Sequence, residues 1–327
     1  MTLNDLIYRF VRPLGGLQIA KFLARRHPRI LMYHRIASNS AQGALDVDTF
    51  RHQMQTIKQE LSPISLEDLM TAHERGAVPD NAVVITFDDG YADFYDYAFP
   101  VLREEGMPCT LFVTTGFVNG DLWLWPDRLR FCADQTTCNH VSFPEIKKEF
   151  SVSENRHEVW NTLADHCLEL PDKEKNSFIQ RVADRFQVTL PTSAPSQYKG
   201  LSWDQVREIS RAGIEIGSHS VSHPILTSLD PDELQRELVV SRETIESELV
   251  QTVRAFCYPN GQPIDFNERV KSAVRAAGYK FALAAYPARY PLNDFWAINR
   301  YPANYSNAMF EKTVFGFTYL RLQNDVS

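Results

Sequence analysis

The chain has 327 residues and is 44% hydrophobic, enough for one large domain or two small ones with a substantial core. Its net charge of −7 argues against a nucleic-acid binder. The charge is uneven: residues 1–36 carry Arg9, Arg12, Lys21, Arg25, Arg26, Arg29 and Arg35 against Asp5 alone, a balance of +6 that leaves −13 for the rest.

Residues 3–24 mix Leu3, Ile7, Phe10, Val11, Leu14, Leu17 and Phe22 with Lys and Arg. That fits a surface-lying membrane helix or a helix packed on the protein's own core, and Pro13 and Gly15-Gly16 interrupt the pattern. There is no secretory signal pattern and no apolar run of about 20 residues to span a bilayer. Five cysteines without a C-x-x-C pair read as reduced, mostly buried thiols of a cytoplasmic protein, with one disulfide left open.

Six short apolar runs follow: 29–33, 82–87, 109–114, 214–217, 255–258 and 280–284. Such runs suit parallel strands covered on both faces. Ser202 to Gln205 reads as a capping box ahead of a helix to about Ala212, and Asp230-Pro231-Asp232-Glu233 opens a helix to about Leu249. Residues 266–277 repeat apolar positions on one helical face, and Gly278 stops them. The strand–helix alternation predicts an α/β fold with parallel strands, as an open sheet or a barrel. Residues 119–200 break the rhythm and read as a mainly helical insertion with helices near 153–169 and 171–187. Trp123 and Trp125 at its start suit either sugar stacking beside a cleft or core packing.

Three segments carry chemistry when taken together. Thr86-Phe87-Asp88-Asp89-Gly90 follows the second run, His219-Ser220-Val221-Ser222-His223 the fourth, and Tyr258-Pro259-Asn260-Gly261 the fifth. Each alone is an ordinary turn or a pair of histidines. In a parallel α/β fold, however, these strand ends emerge on one face. One carboxylate with two imidazoles supplies three metal ligands and leaves a position for water, and the second carboxylate is left over as a base. The Pro-Asn-Gly turn can point backbone N–H groups into the same cleft.

With these motifs the sequence resembles the polysaccharide deacetylases, the NodB-homology or carbohydrate esterase family 4 group. Thr86–Gly90 matches the TFDDG motif, His219–His223 the H-[ST]-x-x-H motif, and Tyr258–Gly261 is similar to the third motif. The similarity covers about residues 30–300. It implies a distorted (β/α) barrel with fewer than eight repeats. The implied site has Asp88 as general base and Asp89, His219 and His223 as ligands of a divalent metal, usually zinc. Two departures stand out. Cys257 occupies the place of the third motif's arginine, for which Arg300 is a candidate substitute, and no histidine follows His223 to supply the usual general acid. His34, at the end of the first strand, is the best replacement, as in the bacterial deacetylases of poly-N-acetylglucosamine. Tyr258, Pro259, Asn260, Trp123 and Trp125 are the expected substrate contacts.

The organisation expected is a basic amphipathic segment over 1–28, a deacetylase domain over 29–318 holding the 119–200 insertion, and a tail over 319–327. The function expected is metal-dependent removal of N-acetyl groups from an amino-sugar polysaccharide or lipid-linked saccharide, in the cytoplasm and in peripheral contact with the inner membrane face. Three alternatives stay open: a deformylase of a lipid-linked amino sugar, a hydrolase of a small non-sugar amide, and a non-catalytic carbohydrate-binding protein of the same fold.

Overall fold

The computed structural model describes residues 12–38, 43–303 and 307–321. Residues 1–11 of the expected basic segment and 322–327 of the expected tail lie outside them. The strands are β1 (Arg29–Tyr33), β2 (Ile36–Ala37), β3 (Leu45–Asp46), β4 (Ser62–Pro63), β5 (Ala82–Phe87), β6 (Thr110–Val113), β7 (His140–Phe143), β8 (Lys148–Ser151), β9 (Glu215–Ser218), β10 (Ala255–Cys257), β11 (Phe281–Leu283) and β12 (Tyr301–Pro302). The main sheet is parallel, in the order β11-β10-β9-β6-β5-β1-β12, with β4 beside β5 off that path. Every residue of β1, β5, β6, β10 and β11 is buried, as expected of strands covered on both faces.

A parallel bridge from Leu283 to Ile298 ties edge strand β11 to the segment that leads into β12 at the other edge. The sheet thus curls into a distorted (β/α) barrel. The two-residue strands β4 and β12 leave it short of eight full repeats.

Side-chain alternation along the strands decides what faces the site. Leu31, Tyr33, Ile85 and Phe87 enter the main hydrophobic cluster, whereas Ile30, Val84, Phe112, Cys257 and Leu283 form another. Thr86 and Asp88 continue the Val84 face, so the first carboxylate of the motif shares a face with this second cluster. Register completes the placement: Tyr33 pairs with Phe87, and the Asp88 N–H donates to the Tyr33 carbonyl at 3.1 Å, which levels His34 with Asp88.

Residues 119–200 lie between β6 and β9 with a hydrophobic cluster of their own, including Leu129, Phe143, Leu163, Phe178 and Phe186. Helices Arg156–Glu169 and Asp172–Arg185 stand where the sequence predicts them. Helix Trp125–Gln135 and the antiparallel hairpin β7–β8 are additions to that reading. Pro126 opens the extra helix at its first turn, and β7 alternates exposed His140 and Ser142 with buried Val141 and Phe143.

Near the N-terminus, Gly15 and Gly16 start a helix rather than break one. Gly15 takes a left-handed φ of 79° as the cap of helix Gly16–Leu23. That helix buries Gly16 and Ala20 and leaves Ile19, Phe22 and Leu23 exposed. None of the described helices is long and apolar enough to cross a membrane. All five cysteines are free thiols.

Candidate active site

Asp88 directly follows β5 as a buried carboxylate clamped by a buried arginine. Arg300 Nη1 donates to Oδ1 and Nη2 to Oδ2, each at 2.7 Å. The guanidinium is itself fixed, by Nε to the Ala284 carbonyl at 2.9 Å and by Nη1 to Thr86 Oγ1 at 3.0 Å. Burial is the largest influence and raises the Asp88 pKa, but the Arg300 charge and hydrogen bonds, with His219 and His34, together hold the carboxyl below its ordinary value. The Cys257 sulfur sits 3.0 Å from Arg300 Nη2 and 3.7 Å from Asp88 Oδ2. His34 Nε2 stands 3.9 Å from Asp88 Oδ2, with the imidazole partly exposed to the cleft.

Asp89 points into a different constellation. Its Oδ1 lies 3.4 Å from His219 Nε2 and 3.5 Å from His223 Nε2, all three groups being buried. Ligands about 2.0–2.1 Å from a tetrahedral zinc stand about 3.4 Å apart, so these spacings fit one ion. Asp89 Oδ1 is buried and, apart from these two imidazoles, has no polar partner among the described residues, a state a cation would relieve. His219 Nδ1 faces the Cys257 carbonyl at 2.8 Å, which fixes that nitrogen as the donor and leaves Nε2 free to ligate. Burial lowers the His223 pKa to about 4, so its imidazole is neutral near pH 7. Burial also pulls His219 down, but Cys257, Asp89 and Asp88 together hold it above its ordinary value.

Asp88, His219 and Cys257 form a second close trio. It suits a metal less well. Asp88 is committed to Arg300, and burial pushes the Cys257 thiol up, away from the thiolate a metal needs.

The loop bearing the histidines is strained and clamped. Asp89, Ser220, His223 and Asn260 are four of the eight described non-glycine residues with positive φ, a concentration typical of functional sites. Thr115 and Gly116 N–H groups donate to the carbonyls of Ser220 and Val221 at 3.1 and 2.9 Å. A side-chain carbon on Gly116 would stand 2.7 Å from the Val221 oxygen, so this approach requires glycine. From the other side comes Glu237, on helix Pro231–Leu249. Its Oε2 accepts from the N–H groups of Val221 and Ser222 at 2.8 and 2.9 Å, and its Oε1 accepts from Ser222 Oγ at 2.7 Å. The sequence reading missed Glu237, although an acid on the apolar face of Leu234, Leu238 and Ile245 was a legible signal.

These groups line one cleft of about 500 Å³. His34, Asp88, Asp89, His219, His223, Tyr258 and Asn260 all face it. Of the expected substrate contacts, Trp123, Trp125 and Pro259 are not among the residues that line it. Trp123 packs edge-on against Phe131 at 5.5 Å, and Trp125 packs on the insertion's own cluster, because both serve to seat the insertion. The tryptophan that does reach the cleft is Trp160, with Leu124, Pro126, Asp127, Arg130 and His157 from the same insertion.

Residues 75–282 match the polysaccharide deacetylase family, more than half of the chain, and the chain belongs to that family. Over 262 residues it is 23% identical to the Bacillus subtilis protein YxkH, covering 79% of this chain and 64% of that protein. Over 83 residues it is 35% identical to the poly-β-1,6-N-acetyl-D-glucosamine N-deacetylase of Escherichia coli, covering 24% of this chain and 12% of that protein. The chain thus spans less than two thirds of the length of these curated relatives. Among solved structures, IcaB from Ammonifex degensii aligns with a TM-score of 0.57 at 16% identity, over 88% of this chain and 96% of that one. The Streptococcus pyogenes deacetylase PplD, in complex with acetate, aligns with a TM-score of 0.56 at 20% identity, over 84% and 91%. These two likenesses speak to the fold.

Proposed function

We propose that this member of the polysaccharide deacetylase family hydrolyses the N-acetyl group of an amino-sugar saccharide. The observation that carries the reading is the separation of two adjacent carboxylates: Asp88 is held by Arg300, and Asp89 faces His219 and His223. Asp89, His219 and His223 would hold a divalent metal, with zinc the best match to two imidazoles and a carboxylate. Bound there, the metal supplies Lewis acidity toward the acyl oxygen and the attacking water.

The chain's own residues do the rest. Asp88, ionised and oriented by Arg300, takes a proton from water as the water oxygen bonds to the carbonyl carbon. The Asn260 backbone N–H steadies the oxyanion. His34 gives a proton to the nitrogen as the carbon–nitrogen bond breaks, releasing acetate and the free amine. The division into an N-terminal segment, a barrel and the 119–200 insertion belongs to this reading, as do a reducing cytoplasmic setting, consistent with five free thiols, and peripheral contact with the inner membrane face.

The match to a poly-β-1,6-N-acetyl-D-glucosamine deacetylase supports a polymeric or oligomeric substrate. A lipid-linked saccharide draws support from exposed Ile19, Phe22 and Leu23. That helix, however, enters the barrel at the N-terminal end of β1, whereas the cleft opens at the strands' C-terminal ends. A membrane held there would lie across the barrel from the site, which favours the longer substrate.

Acetate release from N-acetylglucosamine oligosaccharides tests the proposal, with zinc-loaded and chelator-stripped protein side by side. Zinc-dependent release is expected. Equal release by both preparations, or none by the loaded protein, contradicts it.

A further inference from the structure

Helix Arg156–Glu169 of the insertion does two things at once. Val159, Leu163 and Cys167 are buried in the insertion's own hydrophobic cluster and seat the helix. His157, Trp160 and Leu168 follow the helical repeat along a different stripe and line the active-site cleft. At a rise of about 1.5 Å per residue, His157 and Leu168 stand about 16 Å apart along the helix axis, longer than one sugar ring.

Trp160 is set firmly in that wall. Its Nε1 donates to the Pro126 carbonyl at 3.0 Å, the Arg130 guanidinium lies 5.8 Å from its ring centroid, and the His157 ring stacks beside it at 5.7 Å. With Nε1 satisfied inside the protein, the partly buried ring meets the cleft as an apolar surface rather than as a donor. A side chain fixed beforehand loses little freedom when a ligand arrives. These contacts lie within the insertion, whereas Asp88 and Asp89 follow β5, and His219 and His223 follow β9. Trp160 is therefore placed for a part of the ligand other than the part that reacts.

The chemistry of the wall selects a sugar. The C–H groups on the face of a pyranose are apolar and pack on an indole, while its hydroxyls radiate from the ring edge. Arg130 and His157 line the cleft beside the indole and offer those hydroxyls polar partners. An acyl chain would cover the indole and offer nothing to either polar neighbour.

We infer that Trp160 is a stacking platform for a sugar unit other than the one that loses its acetyl group, so that the insertion selects saccharides of several units over short ones. The inference rests on the saccharide reading above. The competing role is structural, with Trp160 only pinning its helix to Pro126.

Dependence on chain length separates these roles. The probes are the disaccharide and pentasaccharide of β-1,6-linked N-acetylglucosamine, the linkage named for the Escherichia coli relative, read by acetate release from zinc-loaded protein. In wild type kcat/KM for the pentasaccharide should exceed that for the disaccharide by about 10-fold or more, with the gain carried by KM. Trp160→Ala should bring that ratio down to about 1. Trp160→Leu, which keeps apolar bulk against the cluster but has no flat face, should do the same and guards against a folding defect in the alanine variant. Trp160→Phe keeps an aromatic face without the bond to Pro126 and should retain most of the ratio. A loss that is equal at both lengths, leaving the ratio as in wild type, would assign Trp160 to structure and overturn the platform, and so would a wild type indifferent to length. No acetate release by wild type at either length overturns the saccharide reading itself, and the platform with it.

Discussion

Arg300 and Asp88 meet through two parallel hydrogen bonds of 2.7 Å, with the arginine fully buried and the carboxylate 3% exposed. The arginine arrives from the segment before β12, while position 257, where the family's third motif places one, holds a cysteine beside the same carboxylate. Removing one partner strands a buried charge. Arg300→Ala should therefore lower stability by about 3–5 kcal/mol in chemical denaturation, and activity with it. Adding Cys257→Arg to that variant should recover part of both losses, because side chain 257 points at Asp88. No recovery in either measure would mean the guanidinium must come from position 300.

Asp88 is assigned to proton transfer and Asp89 to the metal. Asp88→Asn should cut kcat about 10²–10⁴-fold while zinc affinity, read by competition with a chromophoric chelator, stays near wild type. Loss of zinc binding in Asp88→Asn would show that both carboxylates hold the ion.

Glu237 touches no ligand atom, yet it fixes the loop between His219 and His223. Glu237→Ala leaves three donors unmet in a loop where Ser220 and His223 already take positive φ. Zinc affinity should fall about 10–100-fold, with Glu237→Gln recovering much of it. Wild-type affinity in Glu237→Ala would make this contact irrelevant to metal holding.

The motifs were legible because their chemistry sits where buried strands end, and the parallel register from β1 through β5 and β6 to β9 brings those ends to one side of the sheet. Arg300 was visible only as a candidate, since its side chain travels inside the barrel to reach Asp88 and no spacing in the sequence encodes that path. The insertion was hardest. Trp123 and Trp125 seat it, whereas Trp160, from the middle of helix Arg156–Glu169, reaches the cleft. That choice depends on how three helices and a hairpin pack, which local patterns do not fix.

Burial pushes the Asp127 carboxyl up to about 7, with Asp89 and Asp93 adding to the shift and Arg35 and Tyr91 opposing it. An unfolded aspartate ionises near about 3.9. Between these values the folded chain keeps a proton that the unfolded chain has released, so this group's contribution to stability falls as pH rises from about 4 to about 7, then levels off. Asparagine does not ionise. In metal-free protein, the melting temperature of Asp127→Asn relative to wild type should therefore climb across that range. A difference that does not change with pH would contradict the raised carboxyl.

The most direct test of the metal assignment is a zinc titration of metal-free protein, following bound zinc and acetate release from an N-acetylglucosamine oligosaccharide in the same samples. Activity should appear in step with zinc and saturate at one ion per chain, and the double variant His219→Ala/His223→Ala should show neither tight binding nor turnover. Full acetate release without metal, or tight zinc binding by the double variant, would contradict the assignment of Asp89, His219 and His223 as the metal site.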